Sequence, residues 1–410
     1  MKKLNILICT TCSLPIPATK GGAVESLIEG LILENEKEKF FSITVITLED
    51  NLTRMDSNRY NNKNTNFIFL KKHKLISAID ILLTKIFRII KRDKSLNSKN
   101  LLWKFLVKMN TIKILLNSEY DKVIFENSPH LLKVLNNKNI FCKYKGKIVF
   151  HLHNEINYNK KNLNLLNKCT QIFTVSNFLE KRLKIEYPQL ETQILVLRNG
   201  IDDSFYNLQL TDSKKKEMRS ELGFSTEDKI ILFVGRITPE KGIFELVQSL
   251  NYLTDKKIKI LIVGNSFFGS NTTTPFEEKL KKELLNVENR VIFTGYIQKK
   301  NLWKFYSISD IAVLPSIWQE PLGLTIMEAV ICGIPLITTE SGGIVESVDN
   351  KFSIVLPINY DLPLNIANSV INILNNNNAW IRKAQLQKKI FYEKNNNEKF
   401  FASFSDFIKE

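Results

Sequence analysis

Short runs rich in Val, Ile, Leu and Phe alternate along the chain with longer stretches whose apolar positions recur at helical spacing. That is the pattern of parallel sheets covered by helices. The short runs predict strands at 4–9, 43–48, 66–70, 122–125, 147–152, 171–175 and 193–197. The pattern then restarts, with strands at 230–234, 258–263, 291–294, 311–314 and 335–338. Between the two series, 211–217 (TDSKKKE) is polar and charged, and Asn199-Gly200 offers a turn just before it. The expectation is an α/β chain of two doubly wound parallel-sheet domains, 1–205 and 206–385, followed by a closing helical segment, 386–410. Within that segment, 399–407 carries four phenylalanines, which must bury against a core.

Composition agrees with two cores. A chain of 410 residues exceeds the roughly 250–300 at which a single core stops growing. With 44% apolar and 24% charged residues it does not have the balance of a disordered chain. No apolar run approaches the ~20 residues of a membrane span, and 4–9 is too short for a signal-peptide core. Five cysteines, with Cys9 and Cys12 spaced C-x-x-C but no second pair or nearby His, suit small buried hydrophobes in a reducing cytoplasm. The net charge of +16 asks for an anionic partner: nucleic acid, a membrane surface or a phosphorylated substrate. Much of it is local. Residues 71–118 hold 12 Lys/Arg against 2 Asp, interleaved with Ile76, Ile79, Leu83, Phe87, Ile90, Leu101, Trp103, Phe105 and Leu106. This reads as two basic amphipathic helices that either lie on an anionic membrane or dock their apolar stripes on the domain.

The densest chemistry lies in 316–343, SIWQEPLGLTIMEAVICGIPLITTESGG. A strand runs into a loop with Glu320-Pro321, a helix is expected over 322–331, and Gly333 ends it. The backbone N–H groups of Gly323, Leu324 and Thr325 would sit at the positive end of its dipole, a ready anion site. Glu320 and Glu328 would repel a phosphate there, so they suit hydroxyls on either side of it, such as those of a sugar and a ribose. Glu328 has Ile326, Met327, Ala329 and Val330 around it, which argues against an ordinary solvated position. A second segment, VGRITPEKG at 234–242, places Arg236 and Lys241 at the carboxyl edge of a sheet, where open α/β folds bind ligands. Unless both are merely solvated, a rigid guanidinium fork and a mobile ammonium suit a diphosphate and the charge that grows on it as it departs.

These two segments, with Gly342-Gly343-Ile344-Val345-Glu346 after the next strand, resemble the retaining glycosyltransferases of family 4, which have the GT-B fold. The resemblance extends to Gly21-Gly22, to Val175-Ser176 at a strand end and to Asn199-Gly200-Ile201-Asp202, so it spans 4–346. It implies an acceptor-binding and a nucleotide-sugar-binding domain, both Rossmann-like, facing each other across a cleft, with the C-terminal helix returning to the first. It also implies roles. Arg236 and Lys241 would contact the donor diphosphate, Glu328 the ribose hydroxyls, and Glu320 the transferred sugar. The amides of Leu322, Gly323 and Leu324 would hold sugar hydroxyls or phosphate, and Gly295-Tyr296-Ile297 the base. Gly21 and Gly22 would let the first loop approach the diphosphate, and Asn199 joins the donor-binding positions. His153, in HLHNE at 151–155, matches the family's histidine near the donor sugar, with a packing histidine as the alternative. His151 would share its face if the strand continued. Glu126, ending another strand, is a candidate acceptor contact.

No Asp-x-Asp motif is present, so neither metal nor other cofactor is expected, and Arg236 and Lys241 take the metal's place. The resemblance implies a hexosyltransferase using a nucleoside diphosphate sugar, a uridine one first, in cell-surface polysaccharide synthesis. Its acceptor would be a glycan or a polyprenyl-linked one, met in the cytoplasm at the inner membrane face with 71–118 on anionic lipid. The alternatives are a GT-B nucleotide-sugar epimerase and a non-catalytic GT-B binder of a surface assembly. Nucleic acid is not expected, since RNP, KH and helix-turn-helix signatures are lacking.

Overall fold

The computed structural model describes residues 3–57, 64–91, 100–202, 204–264, 275–287 and 289–410. Residues 92–99 of the basic segment lie outside them. The first series of strands is β1 (Leu4–Cys9), β2 (Phe41–Leu48), β3 (Thr65–Leu70), β4 (Lys122–Glu126), β5 (Ile148–Leu152), β6 (Gln171–Thr174) and β7 (Gln193–Val196). They form a parallel sheet in the order 3-2-1-4-5-6-7. The second series is β8 (Lys229–Val234), β9 (Ile258–Val263), β10 (Val291–Gly295), β11 (Ile311–Leu314), β12 (Leu336–Thr339) and β13 (Ile354–Leu356), parallel in the order 10-9-8-11-12-13. Central strands such as β5 and β11 are buried at every position, which is why they read as unbroken apolar runs rather than alternating ones. Strand β13 escapes the sequence pattern because only three residues of it pair.

In both sheets the strand order reverses beside the first strand, between β1 and β4 and between β8 and β11. Such switch points open a crevice at the carboxyl ends of the strands. The chain forms two compact units, 1–200 with 397–410, and 201–396. The closing segment therefore starts later than the expected 386. Residues up to 395 belong to the helix Asn377–Asn395, which packs on the helix Leu324–Cys332 of the second unit and buries Trp380, Ala384, Gln387, Lys388 and Phe391. After the extended Asn396, the helix Asn397–Lys409 presents Phe400, Phe401, Phe404 and Ile408 to a core that includes Ile6, Phe41, Ile43 and Phe173 of the first unit.

The two basic helices differ. Leu101–Asn117 is docked: Trp103, Val107, Thr111 and Leu115 are buried, and Trp103 Nε1–H donates to the Cys12 carbonyl at 2.9 Å. Buried Asp80 accepts from the N–H groups of Leu102 (2.7 Å) and Trp103 (3.2 Å), satisfying two donors of the helix start. Lys74–Lys91, by contrast, leaves Leu75, Ile81 and Leu82 exposed. No helix among the described residues is long and apolar enough to cross a membrane. Cys9, Cys12 and Cys169 are buried free thiols, and burial pushes the Cys12 thiol up to about 12, so the C-x-x-C lies in the core.

Candidate active site

β8 and β11 are neighbours, so the loops leaving their carboxyl ends meet. The N–H of Ile317 donates to the Glu240 carbonyl at 3.0 Å. Gly242, with φ 67°, runs so close to the end of β11 that a Cβ there would overlap the Pro315 carbonyl oxygen. This close approach brings Lys241 Nζ onto Glu320 Oε1, although the two lie 79 residues apart in sequence. Ser316 Oγ lies 2.9 Å from that same carboxylate oxygen and 3.0 Å from the Glu240 carbonyl, so its one proton is shared between them. Arg236 stands nearer solvent, 3.9 Å from Glu240. Behind the loop, Gly343 N–H donates to the Glu320 carbonyl (2.6 Å) and Gly342 N–H to Gln319 Oε1 (3.1 Å). The Gly342-Gly343 pair thus braces the Glu320 loop from the next strand.

Leu322 is buried and Gly323, with φ 81°, starts the helix Leu324–Cys332. The first bond into that helix runs from Ile326 N–H to the Gly323 carbonyl (3.0 Å), so the amides of Gly323, Leu324 and Thr325 precede it, as an anion site requires. Gly333 closes the helix in a left-handed conformation. One turn in, Glu328 is 8% exposed and its Oε2 has no hydrogen-bond partner among the described residues. Burial pushes its carboxyl up to about 7, with Lys299 opposing and Asp202 adding to the shift. The sign follows from linkage. The protonated form is favoured in the folded chain, so this group's stabilising contribution is full below 4.5 and is lost as pH rises through about 7. If the ribose hydroxyls of a nucleotide donate to this carboxylate, as the resemblance implies, they favour its ionised form, and nucleotide affinity is then expected to rise with pH up to about 7. Calorimetric titration of UDP on either side of that pH checks it, and Glu328→Gln is expected to bind more weakly and flatten the profile. Of the proposed base-binding loop, the Gly295 carbonyl is already taken by Gly264 N–H (3.0 Å) and Thr294 Oγ1 (3.1 Å), while Tyr296 is exposed and Ile297 partly so.

In the first unit, Gly21 and Gly22 precede the helix Ala23–Glu38 with φ 73° and 109°. The space that Gly22 leaves is filled by the chain itself: a Cβ there would meet the Glu25 carboxylate. Burial and, more weakly, Glu126 raise the Glu25 carboxyl. Asn199 is buried, with its Oδ1 unpartnered among the described residues. Ser176 caps the helix Asn177–Glu186 by accepting from Leu179 N–H at 3.1 Å.

Glu126, the candidate acceptor contact, is buried and paired within the first unit. Strand pairing sets it directly beside His151, and it is 4% exposed. Its Oε2 lies 3.2 Å from His151 Nδ1 and 2.8 Å from His153 Nε2. The two imidazoles share a face as residues two apart, with centroids 4.1 Å apart. Asn127, at φ 48°, ties the strand ends: its N–H donates to the His151 carbonyl (2.8 Å) and its Oδ1 accepts from His153 N–H (3.1 Å). The three side chains could meet one ion, their ligand atoms lying within 4.8 Å of one another. Yet His151 Nε2 is buried without a partner among the described residues, so it lacks the outer contact that ligating histidines ordinarily make. Sequence reasoning missed Asn127, Ser316 and the pairing of Glu126 with His151. Only the His-x-His spacing hinted at the last.

Two parallel-sheet Rossmann-like units with ligand-facing loops at their switch points define the GT-B fold. Residues 214–390 match the family model of glycosyl transferases group 1. Over nearly the whole chain there is similarity to spore coat protein SA of Bacillus subtilis, 24% identical across 90% of each protein. A putative glycosyltransferase of the same organism, YtcC, is 26% identical across 88% of this chain and 81% of its own. Among solved structures, Anabaena HepE in complex with UDP and glucose superposes with a TM-score of 0.72 at 17% identity, covering 99% of both chains.

Proposed function

We propose that the protein is a retaining, metal-independent glycosyltransferase that moves a hexosyl unit from a nucleoside diphosphate sugar to a glycan or lipid-linked acceptor in cell-surface polysaccharide synthesis. The observation that carries this reading is the pairing of Lys241 with Glu320 at the mouth of the helix Leu324–Cys332. A cation, a carboxylate and free amide ends converge there. Lys241 rests on Glu320. A diphosphate would draw the ammonium away and free the carboxylate to accept from sugar hydroxyls. Arg236 and the helix amides add to the positive field, which grows in effect as negative charge builds on the departing nucleotide. Glu328, with its unpartnered oxygen, suits the ribose hydroxyls. Uridine is favoured because HepE, of the same fold, was crystallised with UDP and glucose.

The test is a panel of nucleotide sugars incubated with the purified protein and read by mass for free sugar and nucleotide. Slow hydrolysis of a UDP-hexose with retained anomeric configuration is expected. Equal inertness toward every donor, with no nucleotide bound, would defeat the reading.

The exposed Leu75, Ile81 and Leu82, beside exposed Lys71 and Lys74, further support contact with an anionic membrane. The protein is expected to float with anionic vesicles and not with neutral ones, and Leu82→Asp to weaken that recovery. Equal recovery with both lipids would count against it.

A further inference from the structure

We propose that Glu126 is a positioning residue that locks His153 as its Nε2–H tautomer and so presents Nδ1 as a hydrogen-bond acceptor to a sugar hydroxyl. The hydroxyl belongs to the carbohydrate substrates of the reaction proposed above, and that clause alone rests on that reading. The tautomer follows from the cluster itself. A buried carboxylate accepts hydrogen bonds but cannot donate them. Burial alone would raise the Glu126 carboxyl, but His151 and His153 outweigh it and hold it down at about 2. Burial and then His151 push His153 down to about 4, so its ring is neutral near pH 7. A neutral ring 2.8 Å from a carboxylate through Nε2 must carry its single proton there, which leaves Nδ1 unprotonated and able to accept.

Three features make this a fixed device. Pairing of β4 with β5 sets Glu126 against His151. Asn127 holds the backbone of both histidines, through the His151 carbonyl and the His153 N–H. His151 shares the same carboxylate oxygen and lies against His153, which hinders the ring from turning over. Glu126 is the one group of the three that both rings address, so it acts through His153 and need not touch substrate.

The test uses the full chain labelled with ¹⁵N-histidine. Only four histidines are present, and His73→Gln, His130→Gln and His151→Asn assign the signals by subtraction. In the wild type, His153 is expected to show a pyrrole-like Nε2 and a pyridine-like Nδ1 at neutral pH. Glu126→Gln offers an amide N–H to Nε2 and is expected to convert the ring to the opposite tautomer. If the donor panel identifies a substrate, kcat is expected to fall about 10²-fold or more in that variant with donor KM within a few-fold. Glu126→Asp should recover part of the loss. A loss seen in donor hydrolysis without acceptor assigns the hydroxyl to the donor sugar, and one seen only in transfer assigns it to the acceptor. A wild-type His153 that is doubly protonated or carries its proton on Nδ1 overturns the proposal, whatever the chain's activity. So does a Glu126→Gln protein with unchanged tautomer and unchanged kcat. Failure of every donor, with the tautomer as stated, strikes the transferase reading and leaves the positioning role standing.

Discussion

Replacing Lys241 by alanine is expected to lower kcat/KM for a nucleoside diphosphate sugar by about 10²–10³-fold, the usual cost of removing one preorganised charge from a developing anion. In the proposed role Lys241 meets a diphosphate charge that grows between bound donor and transition state, so the loss should fall mainly on kcat. The variant also strands Glu320, which is 6% exposed and whose carboxylate would keep, among the described residues, only its contact with Ser316. Some stability is therefore expected to go with it. A second variant separates the two effects. Lys241→Ala with Glu320→Gln removes the stranded charge, so thermal stability should return while activity does not. Steady-state kinetics with matched melting curves decide the matter, and a single variant within about threefold of wild type would remove Lys241 from the chemistry.

Phe404→Ala is expected to destabilise the first unit by about 3–5 kcal/mol, the range for emptying an aromatic from a packed core. Phe404 is 3% exposed, and its ring stands edge-on to Phe41 at 5.9 Å and close to Phe173. These contacts join a helix near residue 400 to strands β2 and β6. Native-state hydrogen exchange reads the units separately, which a single unfolding transition would not. Protection should fall in β1, β2 and β6 and hold in β8, β9 and β11. Equal loss in both units, or none in either, would contradict the assignment of 397–410 to the first core.

Twelve of the thirteen strands among the described residues were legible because buried parallel strands leave unbroken apolar runs, and helix caps such as Gly333 mark their own stops. The placing of Arg236, Lys241 and Glu320 in loops after strand ends was also legible, since β8 and β11 read as apolar runs that stop just before them. Their mutual geometry was not. That Lys241 rests on Glu320 depends on β8 lying beside β11, a long-range pairing that no local pattern encodes. The partners of Glu126 were hidden for the same reason: strand-end polarity indicates an edge position, but only the β4–β5 register shows that His151 lies against its carboxylate. The basic helices share one composition, and what separates them is the burial of Trp103 and the cap from Asp80, both tertiary facts. The return of the phenylalanines was foreseen, but its start was misplaced because Asn377–Asn395 continues as one helix through the expected boundary at 386.

The interleaving of the units bears on the order in which the protein matures on the ribosome. The second unit is a continuous stretch whose ends meet, Ile201 N–H donating to the Asn395 carbonyl at 2.8 Å, so it can close as soon as it emerges. The first unit cannot. Its strands are made first, yet Phe400, Phe401, Phe404 and Ile408 arrive only after the whole second unit has been translated. Throughout that interval Phe41, Phe173 and their neighbours lack their cover, and the nascent chain holds an open apolar face of the kind that chaperones shield.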